Sequence, residues 1–273
     1  MTDVTSTALA GSTSSDPGLA RRVLALGDDA LILAQRLCAW ITRAPTIEED
    51  LALSNIALDL LGHARVLLTL SGRLDGSGRT EDQLAYLRDG REFRNTLLTE
   101  LPGGDFATTI ARQLLYSHYA RLHYAELAGC AVPELAAFAA RAATEVDYHR
   151  AHADGWTLRL GLGTAESRRR MQEGLDLMWP YAAELFEGDL CAADGPTANS
   201  TTVPTTAGRL PAPGAVRERW QQQVTEVLTR AGLHPPQPSW AATGGRDGRH
   251  SEEFGVLLAE LQSVHRQFPG GSW

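Results

Sequence analysis

Cysteine is scarce in this sequence, and what there is does not pair up. Cys38, Cys130 and Cys191 are widely spaced and odd in number, so they give neither a disulfide framework nor a zinc signature. Basic charge is short too. The 25 Lys and Arg against 33 Asp and Glu leave a formal net charge of −8, and no basic face is offered to nucleic acid or anionic lipid. Unbroken apolar stretches are only a few residues long, far below a bilayer span. Strand-like alternation and an internal repeat are also missing. The segment Met1 to Gly18, rich in Ser, Thr and Ala, has neither a basic start nor an apolar run. It reads as a disordered leader (1–20), not a secretion signal. What remains is expected to be a soluble, cytoplasmic chain whose 273 residues can bury a substantial core.

What is there is helix. Thr46 and Glu49 form a T-x-x-E capping box after Pro45, and apolar residues follow at 53, 57, 60, 61, 64, 67 and 68. The neighbouring faces are nearly as apolar, which predicts a helix running to about Ser71 and buried over most of its circumference. Asp28 to Arg43 gives an amphipathic helix stopped by Pro45. Thr80 with Gln83 opens another, from Glu81 to about Leu98. Asp105 caps Phe106 to Ala128, and Pro133 starts one reaching about Leu160. Further helices are predicted at Glu166 to Phe186, Ala215 to Ala231, and from a Ser251 cap to about Gln267. The 189–214 stretch reads as a long surface loop. The fold is all-α: four long helices with additional C-terminal helices, in one domain over 21–273.

Two acids and two histidines stand inside this pattern. Asp59 with His63, and Glu145 with His149, are spaced i to i+4, so each pair shares a helix face. Bundles that hold two irons use inward carboxylates from two helices and Glu-x-x-His pairs from the other two. Here the i+3 positions carry Gly62 and Tyr148, and the first helix has Gln35 where a carboxylate is wanted. Two carboxylates are too few to neutralise such a centre. Asp59, His63, Glu145 and His149 are therefore expected to form a buried polar network, with each other or with Arg65, Tyr116, Tyr148 and Gln35. The alternative is a di-metal oxygenase using those four residues. His118 and His152 read as ordinary helix-face histidines. Arg168-Arg169-Arg170 reads as a solvated face, and Gly103-Gly104 and Gly244-Gly245 as turn glycines with no nucleotide loop.

Longer strings carry a resemblance. Leu26-Gly-Asp28-Asp29-Ala-Leu-Ile-Leu-Ala-Gln35-Arg-Leu and Asp50-Leu-Ala-Leu-Ser-Asn-Ile-Ala-Leu-Asp59-Leu-Leu-Gly are two of them. Arg88-Asp89 with Phe93 and Asn95, Asp105-Phe-Ala-Thr-Thr-Ile-Ala-Arg-Gln113, and Glu145 with Tyr148-His149 are others. The ending from Thr243-Gly-Gly-Arg-Asp-Gly-Arg-His250 to Pro269-Gly-Gly-Ser-Trp273 completes the set. Over roughly residues 24–273 the chain resembles the ferritin-like C subunit of bacterial phenylacetyl-CoA epoxidase. The resemblance implies a ferritin-like bundle with no catalytic, cofactor or metal residues of its own. It implies a di-iron A subunit as partner, in a heterodimer that pairs further, and a reductase with flavin and a [2Fe–2S] cluster fed by NADPH. Gln35, Asp59, His63, Glu145, Tyr148 and His149 would then mark a vestigial site, with His63 a departure from the family pattern. Trp40, Trp156, Trp179, Trp220 and Trp273 are candidate anchors against the partner.

Overall fold

The computed structural model describes residues 16–187 and 213–271. Among these the secondary structure is helical throughout, as the sequence implies. The four long helices are α1 (Pro17–Cys38), α2 (Ile47–Leu74), α5 (Phe106–Leu127) and α6 (Pro133–Leu162). Between α2 and α5 lie the short α3 (Glu81–Tyr86) and α4 (Leu97–Glu100). Then come α7 (Ala165–Met178), α8 (Pro213–Arg230) and α9 (Glu252–Gln267). α1 packs along α2 and α5 along α6, and one continuous apolar core joins the two pairs. α7 and α8 cover α5 and α6, while α9 lies on α3 and α4.

Local chemistry sets most of the boundaries. Asp16 accepts the Leu19 N–H and Pro17 stands in the first turn, so α1 begins inside the stretch expected to be leader. The rest of that leader, and nearly all of the 189–214 loop, lie outside the described residues. α1 also ends earlier than expected, at Cys38 instead of Arg43. There the chain turns, with Thr42 at φ 68° and its N–H bonded to Asp50. Thr46 caps α2 by accepting the Glu49 N–H. The Glu49 carboxylate does not close the box, because His152 of α6 takes it. The box of α3 is closed in both directions between Thr80 and Gln83.

Two helices are shorter than the pattern suggests. The predicted Glu81–Leu98 helix stops at Tyr86, followed by a 3-10 turn at Gly90–Glu92 and then α4. The Arg88 guanidinium is drawn to Asp28 of α1, and the Arg94 N–H donates to the same carboxylate at 2.8 Å. These tertiary bonds outweigh continuing the helix. Glu166–Phe186 divides into α7 and a 3-10 segment, Trp179–Phe186, where Pro180 removes a donor. α6 approaches α8 closely enough that a Cβ at Gly161 would overlap the Ala231 carbonyl.

α2 departs from expectation in a way that bears on function. It is long and apolar enough by composition to cross a bilayer, yet half of that window is buried in the bundle as a core helix would be. Its burial is one-sided. Ile47, Leu51, Leu58 and Leu61 remain 77, 61, 64 and 39% exposed, a stripe at helical spacing that faces away from the core.

A candidate functional site on the seam of α2 and α6

The polar seam where α2 meets α6 is built from three histidine–carboxylate bonds. His152 Nε2 meets Glu49 Oε2 at 2.7 Å, His149 Nε2 meets Asp59 Oδ2 at 2.9 Å, and His63 Nε2 meets Glu145 Oε2 at 2.7 Å. The i to i+4 spacing within each helix places both sequence-predicted pairs here, and each histidine takes its acid from the opposite helix. The expected network exists, but Arg65, Tyr116 and Gln35 stay out of it. Arg65 reaches Glu81, and Tyr116 lies in the core beside Tyr119.

In the His63–Glu145 and His149–Asp59 bonds the histidine end is dry and the acid end wet, whereas Glu49 is buried with His152. His63 is 2% exposed, wedged edge-on between Tyr124 and Phe138, while Asp59 and Glu145 keep about a third of their side-chain surface in water. Burial lowers the pKa of His63 and of His149 below the ordinary imidazole value, against the pull of Glu145 and Asp59. A neutral ring facing a carboxylate through Nε2 carries its proton there and donates it.

This donor set does not suit two metal ions. Among the described residues no group of three or more His, Cys, Asp or Glu side chains converges on a point that could hold a metal. Each acid of the seam is already engaged with one imidazole. Of the remaining positions, Gln35 and Gly62 point elsewhere, and Tyr148 stays at the rim, its ring 6.5 Å from that of His149 and 6.4 Å from that of His152. Gln35 lines a groove with Cys38, Leu58 and Leu61; at 100° per residue, Leu61 lies on the opposite side of α2 from His63. Gly62 is exposed beside Arg65, Glu81 and Arg141, and Tyr148 is 50% exposed. So the structure gathers Asp59, His63, Glu145 and His149, with the half-exposed Tyr148 ring at their edge, and leaves Gln35 and Gly62 outside.

Two histidines expected on helix faces are in fact buried partners. His118 is 2% exposed and bonds Asp154 at 2.8 Å, and His152 belongs to the seam. Arg169 and Arg170 do sit on a solvated face, paired with Glu166 and Glu173.

Sequence reasoning misses a second buried polar system. Asp28 and Asp29, adjacent on α1, are both fully buried. Asp28 is forked by Arg88, while Asp29 takes Arg246 at 2.7 Å and the Thr96 N–H at 2.7 Å. Burial raises the Asp29 pKa, with Arg246 and Thr96 opposing. Glu100 holds His250 and the Ser251 N–H, and Glu184 holds the Gly245 and Leu97 N–H groups. The one signal in the sequence is an Asp-Asp pair inside an apolar helix. The Asp29, Glu100 and Glu184 bonds fasten the 244–251 turn to the bundle, and Asn95 donates to Glu100 at 2.9 Å; with the Asp28–Arg88 pair they use Asp28, Asp29, Arg88, Asn95, Arg246 and His250, residues of the strings that carry the resemblance.

Comparison with known proteins agrees with these strings. The chain is 40% identical over 250 residues, 92% of its length and 97% of the relative's, to an Escherichia coli (strain K12) protein whose name makes it the C subunit of 1,2-phenylacetyl-CoA epoxidase. The family described as "Phenylacetic acid catabolic protein" matches residues 1–273, and the chain belongs to that family.

Proposed function

We propose that this chain is the non-catalytic subunit of a cytoplasmic phenylacetyl-CoA epoxidase, lending shape to a di-iron subunit of like fold that carries out the oxygen chemistry. The observation that supports this most is the one-to-one pairing across the α2–α6 seam. Every acid that could neutralise a metal there is satisfied by an imidazole from the facing helix, as a structural network requires. The di-iron centre, the flavin and the [2Fe–2S] cluster of the reductase then reside in other subunits.

A subunit with that role needs a surface on which a helical partner can bury apolar area. The stripe Ile47, Leu51, Leu58 and Leu61 offers one, bordered by a groove of about 270 Å³ that includes Ile41 and Leu261. Contiguous exposed apolar surface of this kind marks interaction sites. The test is metal analysis of the purified chain together with co-purification against a di-iron A-type subunit. The expected result is no stoichiometric iron and a stable complex. Stoichiometric iron that is lost when Glu145 and His149 are both changed to Gln would assign the chain to the di-metal oxygenases instead.

A further inference from the structure

We propose that a file of aromatic rings through the bundle conducts an electron hole between two surfaces, from the indoles beside α8 to the phenol of Tyr148 on α6. This does not rest on the subunit reading. At one end Trp179, Trp220 and Trp240 line a cleft of about 430 Å³, and Trp240 is 52% exposed. At the other end Tyr148 is 50% exposed. Between the two, Tyr119, His123, Tyr124, His63 and His149 are all buried.

The file is continuous. Trp220 lies 5.5 Å from Trp179 and 5.3 Å from Phe186, and Phe186 lies 5.5 Å from Tyr119, centroid to centroid. Tyr119 stacks on His123 at 5.2 Å, and the two share a face of α5 by i to i+4 spacing. His123 lies 6.4 Å from Tyr124, which turns the file towards α2, where His63 is 5.6 Å away. His63 and His149 are 6.5 Å apart, and His149 is 6.5 Å from Tyr148. Ordinary aromatic packing uses the same distances, so continuity alone does not assign a role.

The bases beside the phenols assign it. Burial raises the pKa of Tyr124 and keeps it a neutral phenol, so losing an electron means losing the phenol proton as well. A base must stand nearby to take it. Each tyrosine of the file has an imidazole as ring neighbour: His123 for Tyr119, His63 for Tyr124, and His149 and His152 for Tyr148. His63 donates through Nε2 to Glu145, which leaves its Nδ1 unprotonated, and that buried atom has no hydrogen-bond partner. A desolvated, unpaired base costs stability, so packing alone does not account for it.

Electrons and protons balance. A one-electron oxidant of the reactive-oxygen class takes an electron from an indole of the cleft and is reduced. The indole recovers it from Tyr119, Tyr119 from Tyr124, and Tyr124 from Tyr148. Each buried phenol leaves its proton on the neighbouring imidazole and takes it back when re-reduced. At Tyr148 the proton passes to water. A soluble thiol then gives the phenoxyl radical a hydrogen atom, and two of the resulting thiyl radicals join as a disulfide.

The experiment uses the full chain with Cys38, Cys130 and Cys191 changed to Ser and a ruthenium–polypyridyl photo-oxidant attached through Ser239→Cys, on the exposed wall of the cleft. After a flash in the presence of a spin trap, mass spectrometry locates the radical. The adduct is expected on Tyr148. Tyr119→Phe and, separately, Tyr124→Phe should lose it, while Tyr86→Phe on α3, whose ring stacks on His265 outside the file, keeps it. Circular dichroism checks that each variant is folded. A radical confined to the cleft in the parent chain, or a Tyr148 adduct undiminished in folded Tyr119→Phe or Tyr124→Phe, would overturn the proposal.

Discussion

His63 and Glu145 meet across the α2–α6 seam, Nε2 to Oε2 at 2.7 Å, with the ring almost wholly dry and the carboxylate one-third wet. The bond joins two helices that touch each other at few other places. Glu145→Ala should therefore cost about 1–2 kcal/mol, since it leaves a buried imidazole without its acceptor. Urea denaturation measures this. A variant as stable as the parent would show that the pair contributes nothing.

Acid should loosen the same seam. Burial depresses the folded-state pKa of both His63 and His149, so the unfolded chain binds protons first as pH falls. The contribution is fully present above the unfolded imidazole value of about 6.5 and is lost as pH drops from there towards the folded values. Thermal unfolding between pH 8 and pH 5 should show a falling Tm below about 6.5. The slope should flatten in a His63→Gln, His149→Gln double variant.

The Asp29–Arg246 pair should behave differently because its carboxylate is fully buried and its guanidinium only 15% exposed. Arg246→Met strands a fully buried carboxylate and should destabilise by about 3–5 kcal/mol. Pairing it with Asp29→Asn should recover a large part of that loss. Equal stability of the single and double variants in guanidinium melts would exclude a stranded charge as the cause.

Leu58 and Leu61 are predicted to matter for assembly and not for folding. Both are exposed on the outer stripe of α2, so Leu58→Asp with Leu61→Asp should move stability by only about 0.5 kcal/mol per site. Co-purification with the di-iron A-type subunit that we propose as partner should disappear. Retention of the complex would place the partner on another face.

Close packing of α6 against α8 gives one more expectation. A methyl at Gly161 meets the Ala231 carbonyl, so Gly161→Ala should cost about 1–3 kcal/mol through forced separation of the helices. Gly155, on the same helix with open space around its Cβ position, is the control: there Ala should be neutral or stabilising.

The sequence alone determined the all-helical class, the starts of α2, α3, α5 and α6, and that Asp59 shares a helix face with His63 and Glu145 one with His149; which acid each histidine bonds was decided by the packing of α2 on α6. Caps and helical periodicity are local rules, and i to i+4 spacing fixes which side chains share a face whatever the rest of the chain does. Tertiary structure alone decided the rest. Arg88 and Arg94 end a helix at Tyr86 because Asp28 lies about sixty residues back in the chain. Gln35 looks outward, and α2 is covered on one side only, because facing is set by which helices pack together; hydropathy counts apolar residues without saying what will cover them. The partners of Glu49, Asp29 and Glu100 lie about 100 to more than 200 residues away, and a buried charge finds such a partner only when the fold brings the two together.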